Sequence, residues 1–437
     1  MDGRRPVVAS LRGLVVAGHP QAAAAGARLL RAGGNAFDAA AATAAALGVV
    51  LPYACGPGGF GVAICHLAAE ERVRVLDFLP RRALGSAGGS AGGSAARVGL
   101  PAALGGWFEL ARAHGKKRPH EIFAPAVALA RDGAVLIERP ARALEGLGDL
   151  AEPLEAALHG PATARVLRLP RLARTLEQFA AEGPEWLTHG PLGRAFAAFV
   201  AAEGGQVTAE DLATLAPAWT DPVSTPWRDL TLAAPPPSSQ GFAALLALRL
   251  AGKEALAPAL ARAEAARAAA PQPDAPTLAH LFTEESLAAL RAEEPVVPAA
   301  PHRPPVAGLV VADAEGNLVA LAQSLGGAFG ARLALPESGL LLGDALGWGA
   351  PPEGMPPACA LAPLLALRNG APVLAAAGTG AAQVVRAWAS GAALPEAMAA
   401  PRLGDDAAEV VALARDAASG VLLAGVDPRG ESDAVPV

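Results

Sequence analysis

Residues 306–324 decide the fold, and they read VAGLVVADAEGNLVALAQS. The runs at 306–312 and 318–323 are apolar, so each of them predicts a β-strand. Between them lie Asp313, Gly316 and Asn317, residue types that favour a tight turn. The stretch therefore predicts a β-hairpin.

Upstream of this hairpin, the sequence predicts two packed helices followed by two strands. Pro20 suits a first helical position and the Gly33-Gly34 pair suits a helix end, while a second, alanine-rich helix is predicted over 37–50. The glycine-rich loop 56–61 lacks the pattern of a phosphate-binding loop, which favours a packing role. Strands are predicted at 62–67 and 73–78.

The middle of the chain predicts mostly helix from 98 to about 290, interrupted by exposed connections. The loop 85–95 reads GSAGGSAGGSA and is predicted to be flexible, and five prolines in 293–305 predict an extended linker. The predicted helices cover 102–114, 119–132, 169–182, 191–203 and 209–215.

The region after residue 306 has the character of strands. A short strand is predicted at 339–342, and Asn369-Gly370 between 359–367 and 371–376 predicts a second hairpin. A helix is predicted at 383–390. Long helices combined with several apolar hairpins favour an α+β fold in which helices pack outside stacked sheets.

Composition excludes several functional classes. The chain has 437 residues, 52% of them hydrophobic and only 17% charged, which is typical of a globular protein rather than a disordered one. The net charge of −6 disfavours nucleic-acid binding. The uncharged stretch 39–65 is interrupted by Pro52 and a glycine-rich loop, which argues against a membrane span.

Cysteine usage and the N-terminal residues predict a cytoplasmic protein without a cofactor. Cys55, Cys65 and Cys359 are too few and too scattered for a disulfide framework, and no His/Cys cluster has zinc spacing. The first residues lack the apolar run of a signal peptide. We therefore expect neither a metal nor a membrane partner.

Short motifs along nearly the whole chain carry a resemblance to the gamma-glutamyltranspeptidases, a branch of the N-terminal nucleophile hydrolases. They are GHP (18–20), GGNAFDAA (33–40), GPGGF (56–60), FAPA (123–126), AEDL (209–212), PPPSSQG (235–241), DAEGN (313–317), QS (323–324), FG (329–330) and DPR (427–429). The resemblance implies a four-layer αββα sandwich. It also implies a large-subunit-like region at 1–305 and a small-subunit-like region at 306–437, together forming one intertwined domain.

In that family a precursor cuts itself before a threonine, whose hydroxyl then attacks the amide substrate. The place of that threonine falls on Val306, which has a similar branched shape but carries no hydroxyl. No Ser, Thr or Cys occurs anywhere in 287–323, so a shift of register does not restore a nucleophile. The resemblance therefore implies a site without its catalytic residue.

The substrate-binding residues that the resemblance implies are replaced as well. The family's arginine falls on Leu79, and Arg81 is a weak substitute two residues further along. The family's asparagine after Gln-Ser-Leu falls on Gly326. The other positions of this vestigial pocket are an acidic place near Trp348 with Asp344 as the nearest carboxylate, the serine pair replaced by Cys359 and Ala360, and the oxyanion loop at Gly380 and Ala381.

Three hypotheses remain open. The first is a pseudoenzyme of this family that binds a small gamma-glutamyl-like or other amide ligand, a second copy of itself, or an active relative. The second is an active gamma-glutamyltransferase or glutathione hydrolase with a non-standard nucleophile. The third is an amidohydrolase rebuilt around Cys359, although a buried cysteine usually acts as a small apolar residue.

Overall fold

The computed structural model describes residues 7–83, 93–160, 164–252, 255–270, 273–294, 304–345, 359, 361–399 and 409–437. Most of the loop predicted at 85–95 and most of the linker predicted at 293–305 lie outside these ranges. No helix in the described part of the chain is both long enough and apolar enough to cross a bilayer.

Two seven-stranded antiparallel sheets form the centre of the molecule. Sheet 1 has the strand order β19-β2-β11-β12-β3-β4-β8, and sheet 2 has the order β1-β18-β17-β16-β15-β10-β9. The strands are β1 Ala9–Ser10, β2 Leu14–Ala17, β3 Phe60–Leu67, β4 Arg72–Phe78, β5 Ala134–Ile137, β6 Ala157–His159, β7 Ala164–Arg168, β8 Ala218–Thr220, β9 Val223–Trp227, β10 Leu230–Ala234, β11 Ala307–Ala312, β12 Leu318–Ser324, β13 Ala334–Leu335, β14 Leu340–Leu341, β15 Leu364–Arg368, β16 Ala371–Gly378, β17 Val410–Arg415, β18 Leu422–Gly425 and β19 Asp433–Pro436.

Helices cover the outer faces of both sheets. The α-helices of the described residues are α1 Pro20–Arg31, α2 Ala36–Val50, α3 Ala103–His114, α4 Pro119–Asp132, α5 Glu138–Ala143, α6 Ala151–Leu154, α7 Pro170–Glu182, α8 Glu185–Thr188, α9 Pro191–Ala202, α10 Ala209–Ala213, α11 Gly241–Ala251, α12 Leu256–Ala269, α13 Ala275–Leu281, α14 Glu284–Ala292, α15 Ala381–Ala389 and α16 Leu394–Ala399.

The layers stack as helix, sheet, sheet and helix. Helices α1 to α3 pack on sheet 1, while α11, α15 and α16 pack on sheet 2. Strands β11 and β12 of sheet 1 face β16 and β17 of sheet 2 across the interior. The predicted α+β fold with a four-layer αββα sandwich is therefore confirmed.

The hairpin quoted at the outset lies in the middle of sheet 1, between β2 and β3. Every residue of β11 and β12 is buried, because helices cover one face and sheet 2 covers the other. Burial on both faces explains why the two strands are continuously apolar rather than alternating.

The first two helices pack closely because a glycine lies at their contact. A Cβ on Gly26 would lie 2.9 Å from the Ala39 carbonyl oxygen and still closer to the Thr43 hydroxyl. The small alanine side chains of α2 let neighbouring elements pack closely on all of its sides, and every one of its residues is buried. The sequence predicted both helices within one residue at three of their four ends.

The region between residues 98 and 290 is mostly helical, as predicted, but it also contains six strands that the sequence analysis missed. Strands β5, β6 and β7 form a separate small sheet, and β8, β9 and β10 extend the two central sheets. The strand predicted at 359–367 begins only at Leu364, and Cys359 makes an isolated bridge to Ser239. The C-terminal strands β17 to β19 were not predicted.

Candidate active site

Val306 lies immediately before β11, at the end of the central hairpin. Ala307 pairs with Gln323 across the hairpin, which places Val306 beside the end of β12. The residue is partly buried and packs against the main hydrophobic core. The position can present a side chain to a neighbouring group, but valine offers only methyl groups there.

The peptide before Val306 is held by a serine. Ser324 Oγ donates a hydrogen bond to the Pro305 carbonyl oxygen at 2.6 Å and accepts one from Gly326 N at 2.9 Å. Ser324 is fully buried. Its hydroxyl therefore bonds to backbone groups, and it polarises the carbonyl of the 305–306 peptide bond.

The loop at 378–381 approaches the same strand end from sheet 2. Gly18 N donates to Gly308 O at 3.2 Å, and a Cβ on Gly308 would lie 2.7 Å from the Ala377 carbonyl oxygen. Gly380 has a φ of 102° and caps the N-terminus of α15, whose first residue is Ala381. The structure thus brings the predicted oxyanion loop towards the head of β11.

The glycine loop at 56–61 packs against the same strand end. A Cβ on Gly59 would lie 3.1 Å from Gly56 O and closer still to Ser324 O. Leu325 N also donates to Ala54 O at 2.8 Å, which fixes the chain after Ser324. These close approaches support the packing role predicted for the loop.

Cys359 is an unsuitable nucleophile in this structure. It is 0% exposed, and burial raises the pKa of its thiol. Its backbone is fixed by hydrogen bonds from Cys359 N to Ser238 O and from Gln240 N to Cys359 O. Because the reactive form of cysteine is the thiolate, this environment suppresses its reactivity.

We expect alkylation to confirm this. All three cysteines are buried, so native protein treated with iodoacetamide should gain no adduct, while the unfolded chain should gain three. Intact-mass measurement separates the two results. A rapid single adduct on Cys359 in the native protein would contradict this assignment and would reopen the hypothesis of a cysteine nucleophile.

Asp344 is brought to the site, together with an arginine that sequence reasoning missed. Asp344 N donates to Leu325 O at 2.6 Å, which joins it to the segment after Ser324. Its buried carboxylate lies 3.4 Å from Arg97 Nη2. No pattern around Arg97 signalled this ion pair, since the arginine follows a low-complexity stretch.

Gly326 stands at the position of the family's asparagine, and its backbone conformation favours glycine. Gly326 has a φ of 90°, and a Cβ there would lie 2.9 Å from the carbonyl carbon of Asp344. A side chain at this position would therefore meet the backbone of the neighbouring segment. The glycine that stands here in place of the family's asparagine therefore fits the local backbone conformation.

The place of the family's arginine is apolar and buried. Leu79 is in the core, and its backbone N–H donates to Asp77 Oδ1 at 2.8 Å. The Arg81 guanidinium lies 3.9 Å from Asp77 Oδ2 and is partly exposed. Arg81 is thus turned towards a carboxylate of its own chain. Trp348 and Ala360 lie outside the described residues.

His19 is buried at the start of α1 and acts as its cap. Its Nδ1 accepts a hydrogen bond from Gln21 N at 3.3 Å, and burial lowers the pKa of the imidazole to about 4. A histidine that is neutral and acts as a cap has a structural role.

A charged cluster near the head of β11 was also missed by the sequence analysis. Arg139 Nη1 lies 2.8 Å from Glu409 Oε1, and the Arg139 backbone N–H donates to Glu431 Oε1 at 2.7 Å. Glu409 Oε2 lies 3.3 Å from the position of a Cβ on Gly18. These residues are 270 and 292 positions apart from Arg139 in the chain, so no local pattern reveals them.

A groove of about 400 Å³ lies far from these residues. It is at the opposite end of β3 from Phe60, which pairs with Ser324. Its lining residues are Leu67, Glu70, Arg74, Glu109, Arg112, Ala113, His114 and Trp219. Glu109 accepts hydrogen bonds from Trp219 and Arg112. The groove therefore belongs to a different face from the candidate site.

Comparisons with known proteins agree with this architecture. The family model described as gamma-glutamyltranspeptidase matches residues 22–412. The "Acylase ACY 1 proenzyme" of Pseudomonas sp. strain SE83 is 31% identical over 392 residues, covering 76% of this chain and 68% of that protein. "Glutathione hydrolase 3" of Arabidopsis thaliana is 28% identical, and the match spans 54% of this chain but only 39% of that protein.

Among solved structures, the cephalosporin acylase from Bacillus halodurans superposes with a TM-score of 0.87. The match covers 99% of this chain and 97% of that chain at 24% identity. At this identity the likeness establishes the shared fold alone.

Proposed function

The chain belongs to the gamma-glutamyltranspeptidase family, and from that premise we propose that it is a member that neither cleaves itself nor transfers gamma-glutamyl groups efficiently. The observation that carries the proposal is Val306 at the head of β11. Amide transfer of this kind requires a side-chain hydroxyl or thiol as nucleophile, and valine has neither.

The surroundings of Val306 support the proposal. The hydroxyl of Ser324 is committed to Pro305 O and Gly326 N, and the thiol of Cys359 is fully buried. Neither side chain replaces the missing nucleophile. The arginine and asparagine places hold Leu79 and Gly326, so the groups that would grip a gamma-glutamyl substrate are absent from those two places as well.

A binding role for the remaining pocket is part of the same proposal. Of the residues that the resemblance assigns to it, Asp344, Cys359, Gly380 and Ala381 are described, while Trp348 and Ala360 enter by their place in the sequence alone. Its ligand would be a small gamma-glutamyl-like or other amide. A second copy of the chain or an active relative is the proposed protein partner. In this proposal the boundary between the large-subunit-like and small-subunit-like regions, at 305/306, lies within one uncut chain. The cytoplasmic location remains a prediction.

The test is self-cleavage followed by an activity assay. We expect purified protein, after long incubation, to give the intact mass and a single band on a denaturing gel. We expect no release of the chromophore from a gamma-glutamyl anilide above that of a protein-free control. N-terminal sequencing checks the same chain for a new terminus.

Two fragments with a new N-terminus at residue 306 would overturn the proposal and favour an active hydrolase or transferase. Anilide turnover that survives purification, and that falls when Asp344 or Gly380 is substituted, would do the same. Loss of turnover on further purification would instead identify a contaminating enzyme and leave the proposal standing.

A further inference from the structure

The cluster of Arg139, Glu409 and Glu431 joins the large-subunit-like and small-subunit-like regions next to the candidate site. Arg139 is on α5, Glu409 immediately precedes β17, and Glu431 lies in the loop before β19. Glu431 N donates to Glu409 Oε1 at 3.1 Å, so the loop wraps the same carboxylate that the arginine holds. A Cβ on Gly430 would overlap this carboxylate, so a larger residue there would have to displace it.

The carboxylates of Glu409 and Glu431 both accept hydrogen bonds from Arg139. Glu431 Oε1 accepts from the Arg139 backbone N–H, whereas Glu431 Oε2 is buried without a hydrogen-bond partner. An ionised oxygen that is buried and unpaired is costly, and a proton on it removes that charge. The geometry therefore favours a carboxylate pair that holds one proton.

Among the described residues, the two other arginines near the pair each have a carboxylate partner of their own. Glu138 on α5 is exposed and pairs with Arg142, and Asp427 in the loop before β19 pairs with Arg429. The groups that interact with the pair are Glu138 and Arg139 from α5, Asp427 from the C-terminal loop, and Tyr53 from the connection after α2.

We propose that a proton shared by Glu409 and Glu431 fastens α5 to the C-terminal loop, and that losing this proton releases α5 from the wall of the candidate site. The covering role of this region follows from its contacts. Arg332 Nη2 donates to Gly146 O at 3.2 Å, and a Cβ on Gly146 would lie 3.5 Å from the ring of Phe329. Residues 138–150 thus lie over the segment that follows Ser324.

The direction of the pH dependence follows from linkage. Burial raises the pKa of Glu431 from its ordinary 4.5 to about 7, and burial also raises the pKa of Glu409. A group whose pKa is raised in the closed state stabilises that state fully below its ordinary pKa. This stabilisation is lost as the pH rises from about 4.5 to about 7, and it is absent above that.

The single tyrosine of the chain offers a direct reporter. Tyr53 faces both carboxylates, and burial raises the pKa of its phenol, so the phenol itself does not titrate near neutral pH. Full-length protein with ¹³Cζ-labelled tyrosine should give one NMR resonance. We expect its chemical shift to titrate with a midpoint near pH 7 in the wild type.

The variant Glu431→Gln mimics the protonated state and should abolish that titration. Glu145→Gln, which changes an exposed carboxylate in the same 138–150 region, is the matched control and should keep the wild-type midpoint. In hydrogen exchange, the protection factors of residues 138–150 should fall by up to about tenfold per pH unit between pH 5 and 7 in the wild type. They should change by less than about twofold in Glu431→Gln.

Three results would overturn the proposal. They are a Tyr53 resonance that is flat between pH 6 and 8 in the wild type, a midpoint that persists in Glu431→Gln, and protection of residues 138–150 that is independent of pH. The wild-type measurements decide the question even if Glu431→Gln fails to fold.

Discussion

The substitution Val306→Thr should make the chain cut itself between residues 305 and 306. Threonine keeps the branched shape of valine and adds the missing hydroxyl. The carbonyl that this hydroxyl would attack is already hydrogen-bonded, because Ser324 Oγ donates to Pro305 O at 2.6 Å. We expect a chain that is intact in the wild type to yield fragments 1–305 and 306–437, measured by mass and N-terminal sequencing.

The chemistry of this step balances within the protein and one water molecule. The new hydroxyl oxygen bonds to the Pro305 carbonyl carbon, the peptide C–N bond breaks, and the freed amine of residue 306 takes up the hydroxyl proton. Water then hydrolyses the resulting ester. Ser324 would stabilise the oxyanion, so adding Ser324→Ala should slow cleavage by about a hundred- to a thousandfold, as for the loss of one oxyanion donor.

Val306→Ala is the matched control and should remain intact. Cleaved Val306→Thr should still fail to hydrolyse a gamma-glutamyl anilide, since Leu79 and Gly326 occupy the places of two substrate-binding groups. A folded Val306→Thr chain that never cleaves would show that the Ser324–Pro305 contact is insufficient. The inherited cleft would then have lost more than its nucleophile.

The sequence predicted the centre of the fold well because its signals there are local. Pro20 begins α1, the Asn369-Gly370 turn has positive φ at both residues, and the apolar runs of β11 and β12 are buried on both faces. Short edge strands gave weaker signals. Strand β9 contains Pro226, which argues against a central strand but is tolerated at an edge, where β9 lies.

The candidate site could be predicted only where residues lie in motifs. Val306, Cys359 and Gly380 were singled out because the resemblance to the family assigns roles to their positions. Arg97 and the Arg139–Glu409–Glu431 cluster were not, because their partners are far away in the chain and meet only through the fold.

The same reasoning predicts a large stability effect at a residue with no part in the site. Asp38 is fully buried near the start of α2, and its carboxylate accepts hydrogen bonds from Asn35 N, Lys116 N and Lys117 N at 2.9–3.1 Å. One side chain therefore caps a helix and also fixes the loop between α3 and α4. Its negative charge at a helix N-terminus adds a favourable interaction with the helix dipole.

Asp38→Ala would leave these backbone N–H groups without an acceptor in the interior. Losing a buried charged acceptor of this kind should lower the free energy of unfolding by about 3–5 kcal/mol. The midpoint of urea unfolding, followed by circular dichroism, should fall clearly below that of the wild type. Asp132→Ala at the exposed end of α4 is the control, and its effect should stay within about 0.5 kcal/mol. If Asp38→Ala unfolded at the wild-type urea concentration, water or a backbone rearrangement would have to satisfy the three N–H groups. The buried carboxylate would then not be what holds the start of α2 to the loop between α3 and α4.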